Sequence, residues 1–328
     1  MIDSEPFAKA AQAIQEASCV AIACHEVPDG DAIGSLLAFY HLCTSQGKRC
    51  IASWPEPFEI APHYEFMPEL DSMTRPSDFP EEPEVMIALD CGSLDRLGSL
   101  AEKAKAAKHL IIIDHHETNC FQGEINLIYP NAAATVVLLR RLLKELAWPL
   151  DQSAALCLYV GLVTDTFRFT KMHSSPEVFE LAKELSEYGL DLSEINRKLF
   201  EEHHFNYMKL IGRCLSKLEL NTSIGFAYTT VSLKDFQEFN VRIEEAEGLI
   251  DLVGRISEAK VYAVLKEAPN GIRVSLRSKD PSVDVGMIAA LFGGGGHRFS
   301  AGFVSLGEIS EVVNSLTKVL ANNLSVES

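Results

Sequence analysis

Early in the chain, three short apolar runs each end in acids or histidines, and this pattern limits the fold more than any other feature. Val20-Ala21-Ile22-Ala23 leads through Cys24 into His25-Glu26-Val27-Pro28-Asp29-Gly30-Asp31. Val85-Met86-Ile87-Ala88-Leu89 leads into Asp90-Cys91-Gly92, and Leu110-Ile111-Ile112-Ile113 into Asp114-His115-His116. Runs of this length without polar alternation suit strands buried on both faces, as in a parallel sheet. Between and after them, Asp31–Ser45 and residues 133–147 and 152–163 carry helical patterns, the last two separated by Trp148-Pro149-Leu150-Asp151. The alternation predicts an α/β domain with a parallel sheet over residues 1–190. Ligands of open α/β sheets bind beyond the carboxyl ends of the strands, so three strands are expected to deliver their acids and histidines to one rim.

Residues 174–218 read as helical throughout, with Ser174-Ser175-Pro176-Glu177 as a start signal and 203–218 as a connecting helix, giving a connector over 191–221. Residues 222–328 read as a second, smaller mixed α/β domain. Strands are expected at Ile224–Val231, Lys260–Leu265 and Ile272–Arg277, with a hairpin signal at Asn270-Gly271. A helix is expected over 284–292, broken by Gly293-Gly294-Gly295-Gly296.

The chain has 328 residues, 47% of them hydrophobic, which is enough for more than one core. Its formal net charge of -17 disfavours long duplex nucleic acid as a partner. Any nucleotide must then be held by a local basic pocket. The eight cysteines (Cys19, Cys24, Cys43, Cys50, Cys91, Cys120, Cys157 and Cys214) form no CxxC pair, which argues against a zinc ribbon or a thioredoxin-type site. The N-terminal residues lack the pattern of a signal peptide, and no apolar run reaches the ~18 residues of a membrane span. A cytoplasmic protein is expected.

Each polar motif taken alone has an ordinary reading. Asp29-Gly30-Asp31 can be a turn and helix cap, Asp90 a cap, His115-His116 surface imidazoles, and Asp165 a buried paired acid. Four such motifs after four apolar segments, the last being Val163-Thr164-Asp165-Thr166, point instead to a metal site. Carboxylate and imidazole donors without thiolate suit manganese ahead of magnesium or calcium, with cobalt or zinc as substitutes in vitro. About six protein ligands exceed what one ion takes and suggest two ions about 3.5–4 Å apart with a shared carboxylate, the apparatus of phosphoester hydrolysis. Asp29 and Asp31, two apart in a loop, can serve different ions, but their spacing does not say which.

These motifs are similar to those of the DHH phosphoesterase superfamily: His25-x-x-Pro28-Asp29-Gly30-Asp31-Ala32-Ile33-Gly34-Ser35, Leu89-Asp90, Asp114-His115-His116 and Thr164-Asp165-Thr166. Gly293-Gly294-Gly295-Gly296-His297 with Ser300-Ala301-Gly302 resembles the signature of the DHHA1 substrate-binding domain. The likeness runs nearly end to end, and its type is that of the stand-alone NrnA-like nanoRNases and 3'-phosphoadenosine 5'-phosphate (pAp) phosphatases. It implies two manganese ions, with magnesium or cobalt as substitutes. His25 and Asp29 would hold one, Asp31, His115 and Asp165 the other, and Asp90 would bridge them. It further implies that His116 faces the substrate phosphate or assists proton transfer, that Asp114 orients its neighbours, and that Ser275, Arg277, Gly295 and His297 contact substrate. The active site would lie in the interdomain cleft.

Arg273, Ser275 and Arg277 alternate with apolar residues and are expected on one strand face, where the cations suit a phosphate that is not cleaved. Arg96, soon after Asp90, is a candidate phosphate contact, with an ion pair to Asp95 as the ordinary alternative. Arg255 is a weaker candidate for the same cleft.

Two departures from the family pattern stand out. Phe167-Arg168-Phe169 follows Thr166 where the family commonly has a glycine, which reads as a shortened segment at the pocket rim. Ser300 stands where alanine is usual.

The expected substrates are short oligoribonucleotides, linear dinucleotides such as pApA, and pAp, and a homodimer is expected on the general frequency of symmetric dimers. The alternatives are a RecJ-like single-strand exonuclease, for which the chain lacks an added domain, and a non-catalytic nucleotide sensor, for which a missing ligand would be the sign. A membrane-bound cyclic-dinucleotide phosphodiesterase would need spans, and the His297 signature argues against an inorganic pyrophosphatase.

Overall fold

The computed structural model describes residues 4–117, 119–170, 175–246 and 248–324. The chain divides into two compact units between Leu199 and Phe200. In the first, α1 (Glu5–Glu16) precedes β1 (Cys19–Cys24), α2 (Gly30–Ser45) and β2 (Arg49–Ser53). After a stretch with short 3-10 turns come β3 (Val85–Leu89), α3 (Ala101–Lys105), β4 (His109–Asp114) and β5 (Ile125–Ile128). Helices α4 (Thr135–Glu145), α5 (Gln152–Asp165), α6 (Pro176–Ser186) and α7 (Leu192–Phe200) follow.

The five strands form one parallel sheet in the order β2-β1-β3-β4-β5. Every residue of β3 is buried, as are Val20–Cys24 of β1, so the apolar runs became strands covered on both faces. The strand order reverses between β1 and β3, and the crevice at such a switch point lies outside the carboxyl ends of those two strands. His25 follows β1 there, and Asp90 follows β3.

Asp29 caps α2 by accepting from the Asp31 and Ala32 amides, both at 3.1 Å, and Asp151 caps α5 by accepting from Ala154. These two helices are buried nearly all round, which small residues at their crossing permit. A methyl group on Gly34 would come within 2.5 Å of the Cys157 carbonyl oxygen. One on Gly161 would come within 2.5 Å of Val136 and 3.1 Å of an Asp31 carboxylate oxygen. The close crossing fixes Asp31, at the start of α2, relative to Asp165, at the end of α5.

The second unit opens with α8 (Phe205–Ser216) and continues through β6 (Glu219–Asn221), β7 (Phe226–Val231), α9 (Leu233–Phe239) and α10 (Leu249–Val253). It is completed by β8 (Val261–Ala268), β9 (Gly271–Ser278), α11 (Val285–Ala290), β10 (Gly295–His297), β11 (Ser300–Ser305) and α12 (Ile309–Leu324). Its six strands form a mixed sheet, β10-β11-β9-β8-β7-β6, antiparallel except where β7 pairs with β8. One face packs a core of Phe226, Leu265, Leu276 and Leu316, and the other packs Ala227 and Val264 against Tyr207, Phe236 and Val253.

The structure revises three local readings. The stretch read as helical over 174–218 is three helices, interrupted at 187–191 and 201–204, the last of them, α8, lying within the expected connecting helix 203–218. Its proposed first residue, Ser174, lies outside the described residues, and Ser175 occupies the N-cap position without a side-chain bond. The glycine run is not an open loop throughout: Gly295–His297 pairs with β11. Gly296 has φ +137 and its Cβ would meet the Ser300 carbonyl at 2.5 Å, so close strand approach accounts for that glycine. The hairpin turn falls at Pro269-Asn270, one residue before the expected pair, with Ala268 opposite Gly271. Among the described residues no helix is long and apolar enough to cross a membrane.

Candidate metal and phosphoester site

Asp90 lies at the centre of the rim. Its backbone is left-handed, φ +56, an uncommon conformation for a residue other than glycine and one that gathers at functional sites. Its amide donates to the Ile113 carbonyl at 2.9 Å, which ties the turn after β3 to β4. One carboxylate oxygen, Oδ2, lies 3.6 Å from His25 Nε2. The other, Oδ1, lies 3.6 Å from His115 Nε2 and 3.6 Å from His116 Nδ1. The two oxygens thus face different histidines, and Asp90 belongs both to a group with His25 and Asp29 and to one with Asp31 and His115.

The remaining donors complete these groups. His25 Nε2 is 3.9 Å from Asp29 Oδ1, and His115 Nε2 is 3.8 Å from Asp31 Oδ2 and 3.4 Å from Asp165 Oδ2. Such separations are long for hydrogen bonds. Two donors each about 2.1 Å from a shared cation lie about 3–3.5 Å apart, so these spacings are close to those of ligands around an ion.

Both ring orientations are set from behind. His25 Nδ1 donates to the Glu26 carbonyl at 2.7 Å, and His115 Nδ1 donates to the Ala132 carbonyl at 3.1 Å. The protons therefore sit on Nδ1, and the Nε2 lone pairs face the carboxylates, the arrangement of metal-ligating histidines. Arg96 Nη2 also lies 3.2 Å from His25 Nδ1. One Nδ1 cannot both donate to Glu26 and accept from Arg96, and the shorter carbonyl contact with better-matched partners decides the tautomer. Arg96 therefore sits beside His25 at the rim.

The acids feel one another. Burial and repulsion from Asp90, Asp165 and Asp29 push the Asp31 carboxyl well above the usual carboxylate range, which the Thr135 amide only partly offsets. Burial acts the same way on Asp90, but His25, His116 and His115 outweigh it and hold Asp90 well below that range. Burial disfavours the charged forms of His115 and His116, yet neighbouring aspartates raise both above an ordinary imidazole. The protein alone leaves Asp31 short of positive charge, a shortage that bound cations would remove. On that ground, and on donor type and spacing, the residues fit divalent metal ions.

Asp114 plays a different part. It is fully buried. Its Oδ1 accepts from His116 Nδ1 at 2.7 Å and from the His115 amide at 2.9 Å, and its Oδ2 accepts from Asn119 at 2.6 Å. His116 consequently carries its proton on Nδ1 and turns Nε2 away from Asp114.

Sequence reasoning missed two contributors. Thr135 opens α4, gives its hydroxyl to Asp90 Oδ1 at 2.9 Å and its amide to Asp31 Oδ2 at 2.5 Å, while the Val136 amide donates to Asp31 Oδ1 at 3.0 Å. Asn119 joins Asp114 to the Cys91 carbonyl. Neither sits in an acid or histidine motif, and only folding across 45 residues brings Thr135 to Asp90.

The segment after Asp165, read from the sequence as shortened, is a tight turn. Phe167, Arg168 and Phe169 are all left-handed, with φ of 49, 58 and 62, and the turn closes by bonds from Arg168 N to Val163 O and from Thr170 N to Thr166 O. Three consecutive left-handed residues are disfavoured for non-glycine side chains, and they turn the chain sharply just after Asp165.

In the second unit, Arg273, Ser275 and Arg277 are half-buried on one face of β9, as expected. Register aligns Arg277 with Ser300 and Ser300 with His297, and likewise Ser275 with Gly302 and Gly302 with Gly295. The candidate substrate contacts therefore form two adjacent rows across three strands. Arg277 Nε is buried without a hydrogen-bond partner. Arg273 lies 3.8 Å from Glu244, and Arg255 is exposed beyond α10.

Residues 19–162 match the DHH family, N-terminal domain, and residues 223–324 match the DHHA1 domain. A bifunctional oligoribonuclease and PAP phosphatase NrnA of Thermus thermophilus is 30% identical over 86% of this chain and 82% of that protein. The Bacillus subtilis protein of the same name is 27% identical over 85% of this chain and 86% of its own. The crystal structure of an exopolyphosphatase-related protein from Bacteroides fragilis superposes with a TM-score of 0.90 at 25% identity, covering 99% of this chain and 98% of that one. RecJ of Thermus thermophilus, solved with manganese, shares the fold at a TM-score of 0.53 and 14% identity. Motifs, fold and relatives agree: the chain belongs to the DHH phosphoesterase family and carries a DHHA1 domain.

Proposed function

We propose that the protein is a divalent-metal-dependent phosphodiesterase that hydrolyses short oligoribonucleotides and linear dinucleotides such as pApA, and removes the 3'-phosphate of pAp. The observation that carries the reading is Asp90, whose two oxygens each lie 3.6 Å from different histidines at the switch point of the sheet. The names of the Thermus and Bacillus relatives support the substrate class.

In this reading His25, Asp29 and Asp90 hold one ion, and Asp31, Asp90, His115 and Asp165 hold a second, with manganese the first choice for oxygen and imidazole donors. Bound there, the ions supply an activated water and neutralise charge on the phosphate oxygens. His116, its Nδ1 proton held by Asp114, offers Nε2 for proton transfer at the departing oxygen. Arg96, beside His25, contacts the scissile phosphate. Ser275, Arg277, Gly295 and His297 grip the rest of the nucleotide. The acidic chain, at -17, fits substrates of one or a few nucleotides better than long polyanions.

The test is a hydrolysis panel of pAp, pApA, RNAs of two to about ten nucleotides, and pyrophosphate, with and without manganese, beside the Asp90→Ala variant. Mononucleotide release from the short RNAs, lost in the variant and on chelation, is the expected result. Binding without cleavage of any substrate would move the reading to a nucleotide sensor.

A further inference from the structure

Phe121 stands on the loop that follows Asp114-His115-His116. It is a large aromatic residue, 61% exposed, so the core does not explain it. Its backbone is left-handed, φ +52, a conformation disfavoured for a bulky side chain and kept only where neighbouring groups enforce it. Here Asn119 enforces it: its Oδ1 accepts from the Phe121 amide at 2.9 Å. The amide group of the same Asn119 donates to Asp114 Oδ2 and to the Cys91 carbonyl, next to Asp90. Gln122 adds a further tie by accepting from the Leu94 amide at 3.2 Å. The Phe121 backbone is therefore held by the hydrogen-bond relay that also positions His116.

The mount points to the kind of ligand. Glu117 and Glu124 flank the loop in sequence, and the chain as a whole is acidic, so an anionic group is poorly suited to this spot. An uncharged π surface suits it well, since every nucleobase presents one and stacks on aromatic side chains regardless of sequence. We propose that Phe121 is a nucleobase-stacking residue that fixes the base beside the scissile phosphate. The proposal rests on the phosphodiesterase reading above and names what holds the substrate's base on the catalytic unit.

The experiment compares wild type, Phe121→Ala and Phe121→Trp in the full-length protein with manganese. Substrates are pApA and an abasic counterpart carrying the same phosphodiester. Phe121→Ala is expected to raise KM for pApA on the order of tenfold with kcat nearly kept, Phe121→Trp to restore it, and neither to change the abasic substrate. A second readout needs no turnover: rapid mixing with a 2-aminopurine dinucleotide should quench its fluorescence in wild type and Phe121→Trp but not in Phe121→Ala. Equal KM shifts for both substrates, an unchanged quench, or conversion of an oligomer to monomer by Phe121→Ala would overturn the proposal, the last by showing that a second copy covers the ring. If wild type cleaves neither substrate, the hydrolase reading fails while the quench still decides whether Phe121 stacks a base.

Discussion

Thr135 and Asp90 are joined by a 2.9 Å hydrogen bond from the threonine hydroxyl to Asp90 Oδ1, the same oxygen that faces His115 and His116. The hydroxyl fixes the angle at which Asp90 presents itself to both histidines. Thr135→Val keeps the shape and the backbone amide held by Asp31 but removes that bond. Partners of metal-ligating groups typically contribute 10–100-fold to metal affinity or activity, so a loss in that range is expected. Calorimetric titration with manganese and a kcat measurement check it; unchanged values in both would show that Asp90 needs no such support.

Asp114→Asn should act through His116. The aspartate favours the charged imidazole, and removing that anion lowers the imidazole pKa. The limb of the pH–rate profile governed by this imidazole should move to lower pH. The rate should fall by about 10²–10⁴, the usual contribution of positioned proton transfer. A profile displaced upward, or a rate within threefold of wild type, would remove His116 from the proton-transfer role.

Gly34→Ala places a methyl group 2.5 Å from the Cys157 carbonyl at the crossing of α2 and α5. Backbone must shift to admit it, at a cost of about 1–3 kcal/mol typical of overpacking. Because α2 carries Asp31 and α5 carries Asp165, activity should fall further than stability, toward a hundredfold for a displacement near 1 Å. Urea unfolding and steady-state rates together read this. Stability lost with full activity kept would mean that the crossing does not set the geometry of the acids.

His41 lies apart from the residues grouped around Asp90, between Glu69 at 2.9 Å and Asp151 at 2.6 Å. Burial disfavours its charge, but the two carboxylates outweigh burial and raise its pKa. A raised folded pKa contributes stability that is fully present below the ordinary value near 6.5 and is lost as pH rises through the folded value. His41→Gln should therefore melt below wild type at pH 6, with the gap closing by pH 9. After discounting for solvent the pair is worth at most about 1 kcal/mol, or roughly 2–4 °C. A gap that widens with pH would contradict this origin.

The acidic and histidine motifs were legible because strand periodicity and strand ends are local properties. Continuous apolar runs such as Val85–Leu89 can only be buried strands or short buried helices, and their flanking acids mark the rim. The short edge strands β2 and β5 carried no comparable signal. Arg49-Cys50-Ile51-Ala52-Ser53 mixes polar and apolar residues because an edge strand needs less apolar surface. The interruption at 187–191 is marked only by Gly189, left-handed at φ +73, and by Asp191, which accepts from the Glu194 amide at 3.0 Å, and such single-residue signals are weaker than the apolar periodicity that persists on both sides.

The sequence by itself determined the chemistry of the candidate site: His25, Asp29, Asp31, Asp90, His115 and Asp165 are donor identities, and the apolar runs before His25, Asp90 and His115 pointed to the strand ends. Only the tertiary structure decided their geometry. That Asp90 divides its oxygens between His25 and His115, that Thr135 holds Asp90 and Asp31 together, and that Asn119 mounts Phe121 on the Asp114 relay all depend on contacts between segments set by backbone direction and helix packing. Hydrogen bonds act over about 3 Å, and no periodicity along the chain encodes which distant residues will meet at that range.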